Sequence, residues 1–261
     1  MSDARRRRLP GFSINRLIPN ALTLLALSAG LTAIRLAMND SWELAVALIF
    51  GAAILDGLDG RIARMMGASS EFGAQLDSLS DVVSFGVAPA LILYLWALES
   101  GGGPAWAFTA VYVLCCALRL ARFNVSLGDD PPSPETTRFF VGVPAPAAAG
   151  LVLLPMVFTF QFGWSFLSAP IVVILSLALV AALMVSRVPT YSMKRVKVPQ
   201  RSVGLVLLCV GAFVALLVSS PWLTISLAGV AYIASIPIAF KAKKRMDRAL
   251  VAELETKPGQ S

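Results

Sequence analysis

Hydrophobic and polar positions fall along this chain in long blocks rather than in the short periods of a soluble helix or strand. Arg16 and Arg35 bracket 18 uncharged residues, and Glu99 and Arg119 bracket 19. Residues 139–186 form a run of 48 without charge, and residues 202–240 a run of 39. About 20 apolar residues cross a bilayer as a helix, so each of the last two runs holds two crossings. "FGWS" (162–165) and "SSPW" (219–222) supply the turn signals that divide them. The pattern predicts eight spans, at 17–38, 43–64, 73–98, 104–125, 142–161, 165–186, 202–219 and 222–241. A membrane barrel needs strands of alternating polarity, which this chain lacks, so the expected fold is an all-α, polytopic helical bundle. Residues 1–15 then make a basic N-terminal segment, 16–241 one transmembrane domain and 242–261 a basic C-terminal tail. The polar stretches 1–12 and about 245–261 read as mobile ends.

Charge adds direction to this picture. The loops after spans 1, 3, 5 and 7 carry no Lys or Arg, whereas the other side carries "RRRR" (5–8), Arg64, Arg122, Arg138, Arg187 to Arg201 and "KAKKR" (241–245). Of 22 Lys and Arg, Arg35 alone lies toward the opposite face. Both termini are therefore expected in the cytoplasm, with the chain in the cell (inner) membrane. Its 57% hydrophobic and 14% charged residues exclude a soluble globular domain. The net charge of +7 reads as a topology signal, since the basic runs flank spans; nucleic acid is not an expected partner. "RRRR" before an apolar run resembles a signal peptide, but the run is too long and no small-residue cleavage site follows, so span 1 is expected to stay. Cys115, Cys116 and Cys209 fall inside spans, without metal spacing, and read as packing residues. There is no histidine, so any general base must be another group.

The candidate chemistry sits in "DGLDGRIARMMGASSEFGAQLDSLSD", Asp56 to Asp81. Asp56 and Asp59 share a helix face at i and i+3, and Asp77 and Asp81 share another at i and i+4. An antiparallel pair of spans with a short connection brings these four carboxylates together at the cytoplasmic ends, and Gly60, Ala63, Gly73 and Ala74 let the backbones approach. Four such anions need a compensating positive charge. An oxygen-only ligand set favours a hard divalent ion, Mg²⁺ or Mn²⁺, and is large enough for two. Arg61 and Arg64 would then be free for a diphosphate. The competing reading is an ion or proton pathway of a transporter, although such acids more often lie at mid-bilayer on broken helices.

The spacing D-x₂-D-G-x₂-A-R-x₈-G-x₃-D-x₃-D, here Asp56, Asp59, Gly60, Ala63, Arg64, Gly73, Asp77 and Asp81, resembles the signature of the CDP-alcohol phosphotransferase family at every fixed position. The resemblance implies transfer of a phosphatidyl or similar group from a CDP-linked donor to an alcohol, with release of CMP. It implies metal ligation by Asp56, Asp59 and Asp77, with Asp81 near a second ion and acting as the general base. It also implies that Gly60 and Arg64 contact the CDP moiety, and that Ser70 lies near the donor phosphates. Asn20 and Thr23, in "LIPNALTLL", match family positions that reach the nucleotide; for Asn20 a helix cap is the other reading.

Outside the signature, "SLSDVVSFGVAPALILY" (78–94), "ALRLARFNV" (117–125), "FFVGVPAPAAAG" (139–150) and "SRVPTYSMKRVKVP" (186–199) resemble the bacterial membrane-embedded members that use serine as acceptor. Ala145 departs from them, standing where Ser is expected. The resemblance implies CDP-diacylglycerol and L-serine as substrates, with glycerol 3-phosphate, inositol phosphate or choline as alternative acceptors, and a homodimer in membrane lipid. A zwitterionic acceptor needs a cation for its carboxylate. Arg119 and Arg122, at i and i+3 near the end of span 4, suit that role or serve as membrane anchors. Ser80 and Ser84 flank Asp81 and either touch the acceptor or pack helices. Arg187, Lys194, Arg195 and Lys197 read as headgroup contacts.

Overall fold

The computed structural model describes residues 14–68, 70–128, 139–186, 189–191 and 202–256. Each apolar run of the sequence is largely helical within it. Helix α1 (Ile14–Ala37) turns at Asp40, which has positive φ, into α2 (Trp42–Met65), and the two pack antiparallel along their length. Helix α3 (Glu71–Asp81) runs without a break through a π-helical turn (Val82–Val87), α4 (Ala88–Leu93) and a second π turn (Tyr94–Leu98). Gly102, at φ +61°, reverses the chain into α5 (Gly102–Gly128). Then come β1 (Phe139–Val141), α6 (Ala145–Val152), α7 (Leu154–Phe162), α8 (Pro170–Val185), β2 (Pro189–Tyr191), α9 (Val203–Ser219) and α10 (Pro221–Thr256).

The one departure from an all-helical chain among the described residues is the antiparallel β1–β2 ladder, which pairs Phe139 with Tyr191 and Val141 with Pro189. It joins the two loops that precede α6 and follow α8. Residues 241–256 continue α10 as helix, the segment being rich in Ala, Lys, Arg, Leu and Glu and holding neither Gly nor Pro. Residues 1–13, including "RRRR", lie outside the described residues, as do Arg138, Arg187, Lys194, Arg195 and Lys197.

Leu17–Ala37, Glu71–Val125 and Pro221–Phe240 are long and apolar enough to cross a membrane. The bent pair α6–α7, which meets at 43°, makes up to one more. Its bend falls at Leu153, two residues before Pro155, whose missing N–H leaves the carbonyl four residues back without a helical donor. Helix α2 is of spanning length but carries Glu43, Asp56, Asp59, Arg61 and Arg64. The outer faces are oily: Leu24, Leu25, Leu31, Leu114, Leu118, Leu175, Leu179 and most of α9 are exposed. A helical bundle with apolar side chains outside and carboxylates inside belongs in a membrane.

The core forms where α3 to α5 pack on α1, α2 and α8. Phe85, Ile92, Leu93, Tyr112, Ile49, Leu177 and Met184 are fully buried there. The buried Tyr112 hydroxyl of α5 donates to the carbonyl of Phe85, in the first π turn, at 3.1 Å. Gly86 sits beside Cys116 at the same level, so α5 returns close against the π turn.

Helix α1 is held to this unit by small residues. An added Cβ on Gly30 would stand 2.8 Å from Ser84 Oγ and 2.9 Å from Ser84 Cα. Ser84 donates to the carbonyl of Ala26 at 3.2 Å, and Ser80 to that of Thr23 at 3.2 Å. Gly30→Ala is therefore expected to push α1 off the π turn and destabilise the bundle by about 1–3 kcal/mol. A lowered unfolding midpoint of the purified protein in detergent checks this, and an unchanged midpoint would contradict the packing argument.

Candidate active site

Two local stop signals place the acidic residues. Helix α2 ends in a Schellman turn: Gly67, at φ +59°, donates to the carbonyl of Arg64 at 3.3 Å, and Ala68 donates to that of Ala63 at 2.9 Å. Helix α3 then begins at Ser70, whose hydroxyl accepts the Gly73 N–H at 3.0 Å as an N-cap. The connection is thus only a few residues long, and it folds the end of α2 back beside the start of α3.

Asp56 and Asp59 on α2 meet Asp77 on α3, with one carboxylate oxygen from each lying within 4.8 Å of the others. Asp81, one turn further along α3, adjoins Asp56. Asp59 is buried, and the other three are partly so. Thr23 of α1 supplies one fixed support. Its hydroxyl lies 2.6 Å from Asp59 Oδ2 and 3.1 Å from the carbonyl of Pro19. It has one proton, and the shorter approach to a carboxylate is the stronger bond, so Thr23 donates to Asp59. Among the described residues no Arg or Lys comes within ion-pair distance of these four groups.

The chemistry of this donor set suits a hard divalent cation. It is all oxygen and anionic, converges from two helices, and is braced by an outer hydroxyl. The adjoining surface of α2 is open. A Cβ added at Gly57 or Gly60 meets nothing within 4 Å, so a ligand can lie directly against the backbone beside Asp56 and Asp59. Arg61 and Arg64 are exposed at the rim of this surface.

The remaining predicted residues take varied positions. Asn20 lies inside α1 rather than at its start, so it does not cap the helix; its Oδ1 would stand 3.0 Å from a Cβ on Gly73. Ser70, the N-cap, is beside it. Ser84 is fully buried with its hydroxyl committed to α1, which is a packing role. Arg122 donates from Nη1 to the carbonyl of Val185 at 3.0 Å, satisfying the C-terminus of α8 with a cation. Nearby, Gly142 at φ +78° passes so close to α8 that a Cβ would lie 2.7 Å from the Met184 carbonyl. Arg119 points inward, with Asp81 in its electrostatic surroundings.

Two contacts were not anticipated from the sequence. Asn124 of α5 donates from Nδ2 to Ser78 Oγ at 2.8 Å, tying α5 to α3 beside Asp77. Tyr112 supports the Phe85 carbonyl as described.

A sequence model of CDP-alcohol phosphatidyltransferases matches residues 16–188, and a second, of CDP-alcohol phosphatidyltransferases 2, matches residues 202–237. The chain belongs to the CDP-alcohol phosphatidyltransferase family. It is 40% identical over 224 residues to a CDP-diacylglycerol–serine O-phosphatidyltransferase of Mycobacterium leprae, covering 86% of this chain and 74% of that one. It is 36% identical over 181 residues to the Helicobacter pylori (strain 26695) protein of the same name, covering 69% and 74%. It is also 39% identical over 139 residues to an archaetidylserine synthase of Methanothermobacter thermautotrophicus, covering 51% and 54%.

Because Thr23 orients Asp59 without facing the open surface, Thr23→Val should loosen the carboxylate cluster while leaving the helices in place. Its expected effect is about a tenfold or greater loss of divalent-ion affinity. Titrating Mg²⁺ or Mn²⁺ against the thermal midpoint of each purified protein would show it. Coincident titration curves would remove Thr23 from the site.

Proposed function

We propose that this protein transfers the phosphatidyl group of CDP-diacylglycerol to the hydroxyl of L-serine, giving phosphatidylserine and CMP. The observation that carries the reading is the convergence of Asp56, Asp59 and Asp77, with Asp81 beside them, under an open glycine surface. The serine acceptor is supported by the names of the relatives. The bacterial and archaeal proteins differ in the lipid they are named for and share the serine product.

Asp56, Asp59 and Asp77 would hold a divalent ion, Mg²⁺ or Mn²⁺, and Asp81 would share a second. Ions bound there supply electrostatic stabilisation to the charge that develops on the diphosphate. The donor lies with its acyl chains in the bilayer and its diphosphate over Gly57 and Gly60. Gly60 allows the close approach, and Arg64 offers a bidentate contact to a phosphate. Asn20 faces the same corner and suits the nucleotide, whereas Thr23 and Ser70 act indirectly, through Asp59 and the start of α3. Serine enters from the cytoplasm, and Asp81 takes its hydroxyl proton. The serine oxygen forms a bond to the β-phosphorus as the bond to the CMP oxygen breaks, and CMP carries away the negative charge. Arg119 offers the serine carboxylate a cation, and Arg122 braces the neighbouring end of α8.

This reading carries a membrane arrangement with it. All eight apolar segments cross the bilayer, the alternation of cationic loops puts both termini and the aspartates on the cytoplasmic side, and the working unit is a homodimer in the cell (inner) membrane.

Two measurements test the proposal. Purified protein given CDP-diacylglycerol should release CMP with serine and much less with glycerol 3-phosphate, inositol phosphate or choline, and EDTA should abolish the release. Equal or better turnover with another acceptor would replace serine in the reaction. Asp81→Asn should lower turnover by about 10²–10⁴-fold with donor binding retained. Near-normal turnover in that variant would end the base assignment.

A further inference from the structure

All five tryptophans of the chain stand at one end of the bundle. Trp42 opens α2, Trp96 lies in the second π turn, Trp106 in the first two turns of α5, Trp164 between α7 and α8, and Trp222 at the start of α10. The aspartates stand at the other end. Ser78 of α3 bonds Asn124 near the end of α5, and Arg122 bonds the last carbonyl of α8, so both of those helices finish on the aspartate side. Helices α5 and α8 therefore begin on the tryptophan side. The rings of Phe160 and Trp222, 5.0 Å apart, bring the end of α7 and the start of α10 to the same level.

None of these rings belongs to the buried core. Trp106 and Trp164 are 52% and 47% exposed, and the other three are partly buried. Neighbouring aromatic groups widen the surface: Trp164 stacks on Phe162 and Phe166, and Tyr94 meets Trp106 edge-on at 5.3 Å. No indole N–H donates to a protein group among the described residues. A broad apolar ring with one free donor suits the boundary between acyl chains and headgroups, where the ring lies in hydrocarbon and the N–H meets an ester carbonyl or water. Charge at this end narrows the partner. Asp40, Glu43 and Glu99 stand there with Arg35 as the cation, so the end does not gather anionic headgroups, and the neutral ester layer fits it better.

We propose that the five tryptophans form a one-sided belt whose partner is the glycerol-ester layer of the leaflet remote from the aspartates. At the other membrane face the cationic residues take the anchoring role. Two helices give the same spacing between belt and site. Trp42 precedes Asp56 by 14 residues on α2, and Asp81 precedes Trp96 by 15 along the run that α3 begins. At roughly 1.5 Å per residue, both intervals come to about 20 Å. With the belt seated in its ester layer, a hydrocarbon slab about 30 Å thick leaves Asp56 and Asp81 about 10 Å inside the opposite boundary. The proposal rests on the membrane reading of the bundle and is independent of which alcohol accepts the phosphatidyl group.

The test needs no substitution, because every tryptophan of the chain is a reporter. Full-length protein is reconstituted in phosphatidylcholine vesicles whose acyl chains carry bromine either near the ester or near the terminal methyl, and tryptophan fluorescence is read. Bromine near the ester should quench at least about twofold more strongly than bromine near the methyl. Equal quenching at the two depths, stronger quenching by the deep bromine, or quenching by acrylamide in water with neither lipid effective would overturn the belt. A second arm tests its sidedness. Ester-level bromine is loaded into the outer leaflet alone, and trypsin cleavage at the basic segments reports which way the protein is inserted. Where those segments are open to trypsin outside, the fluorescence should stay near its unquenched value, and where they are protected inside, it should be quenched. Quenching in the first orientation would place tryptophans on the cationic side and overturn the proposal. Neither result bears on CMP release with serine, so the functional reading stands or falls separately.

Discussion

Four carboxylates at the ends of two apolar helices impose the constraint on which the rest of this fold depends. Anions crowded within a few ångströms repel, and burial deepens the cost because water no longer screens them. They stay together only if the backbone leaves them nowhere else to go. The Schellman turn at Gly67 and the Ser70 cap fix the ends of α2 and α3 within a few residues of each other. Helix α1 then braces both, through Thr23 on Asp59 and through Ser80 and Ser84 on its own carbonyls. The arrangement is a set of acceptors held ready for positive charge, and the open glycine face of α2 lies directly beside it.

The same apolar surroundings explain why several residues that look like ligands serve as structure. In hydrocarbon an unmet backbone group costs several kcal/mol, so nearby polar side chains are drawn to it. Tyr112 bonds the carbonyl of Phe85, Arg122 answers the end of α8, and Ser84 answers α1. Arg122 and Ser84 are polar residues close to the aspartates, and sequence position alone does not separate them from Arg119. The distinction is made by orientation. Arg122 reaches the end of a neighbouring helix, whereas Arg119 has its Nε enclosed, with Asp81 in its electrostatic surroundings.

Much of the architecture was legible in the order of residues because the bilayer demands a simple pattern. Uncharged runs of set length mark helices, and each such run is largely helical here. The aspartates were legible too, since spacing on one helix decides which side chains share a face, and a short loop decides that the next helix returns. Where the reading fell short, the cause was a missing long-range partner. Asn20 read as a possible cap because Pro19 precedes it, but α1 starts earlier and carries both inside. Helix propensity carries α10 on to Thr256, past the end expected for the last span. The small β1–β2 ladder was invisible, because three-residue pairings depend on where two distant loops are brought.

By itself, then, the sequence determined the class of molecule, the helical segments and the four carboxylates with their glycines. Those features follow from solvent and from local helical geometry, which neighbouring residues specify. Only the tertiary structure decided which polar groups support the bundle and which face the site. It separated Thr23, Ser84 and Arg122, each bonded to a protein partner, from Arg119, whose enclosed Nε donates to no group among the described residues. The physical reason is that hydrogen bonds between helices join residues remote in sequence, so their partners are settled by packing and not by spacing along the chain.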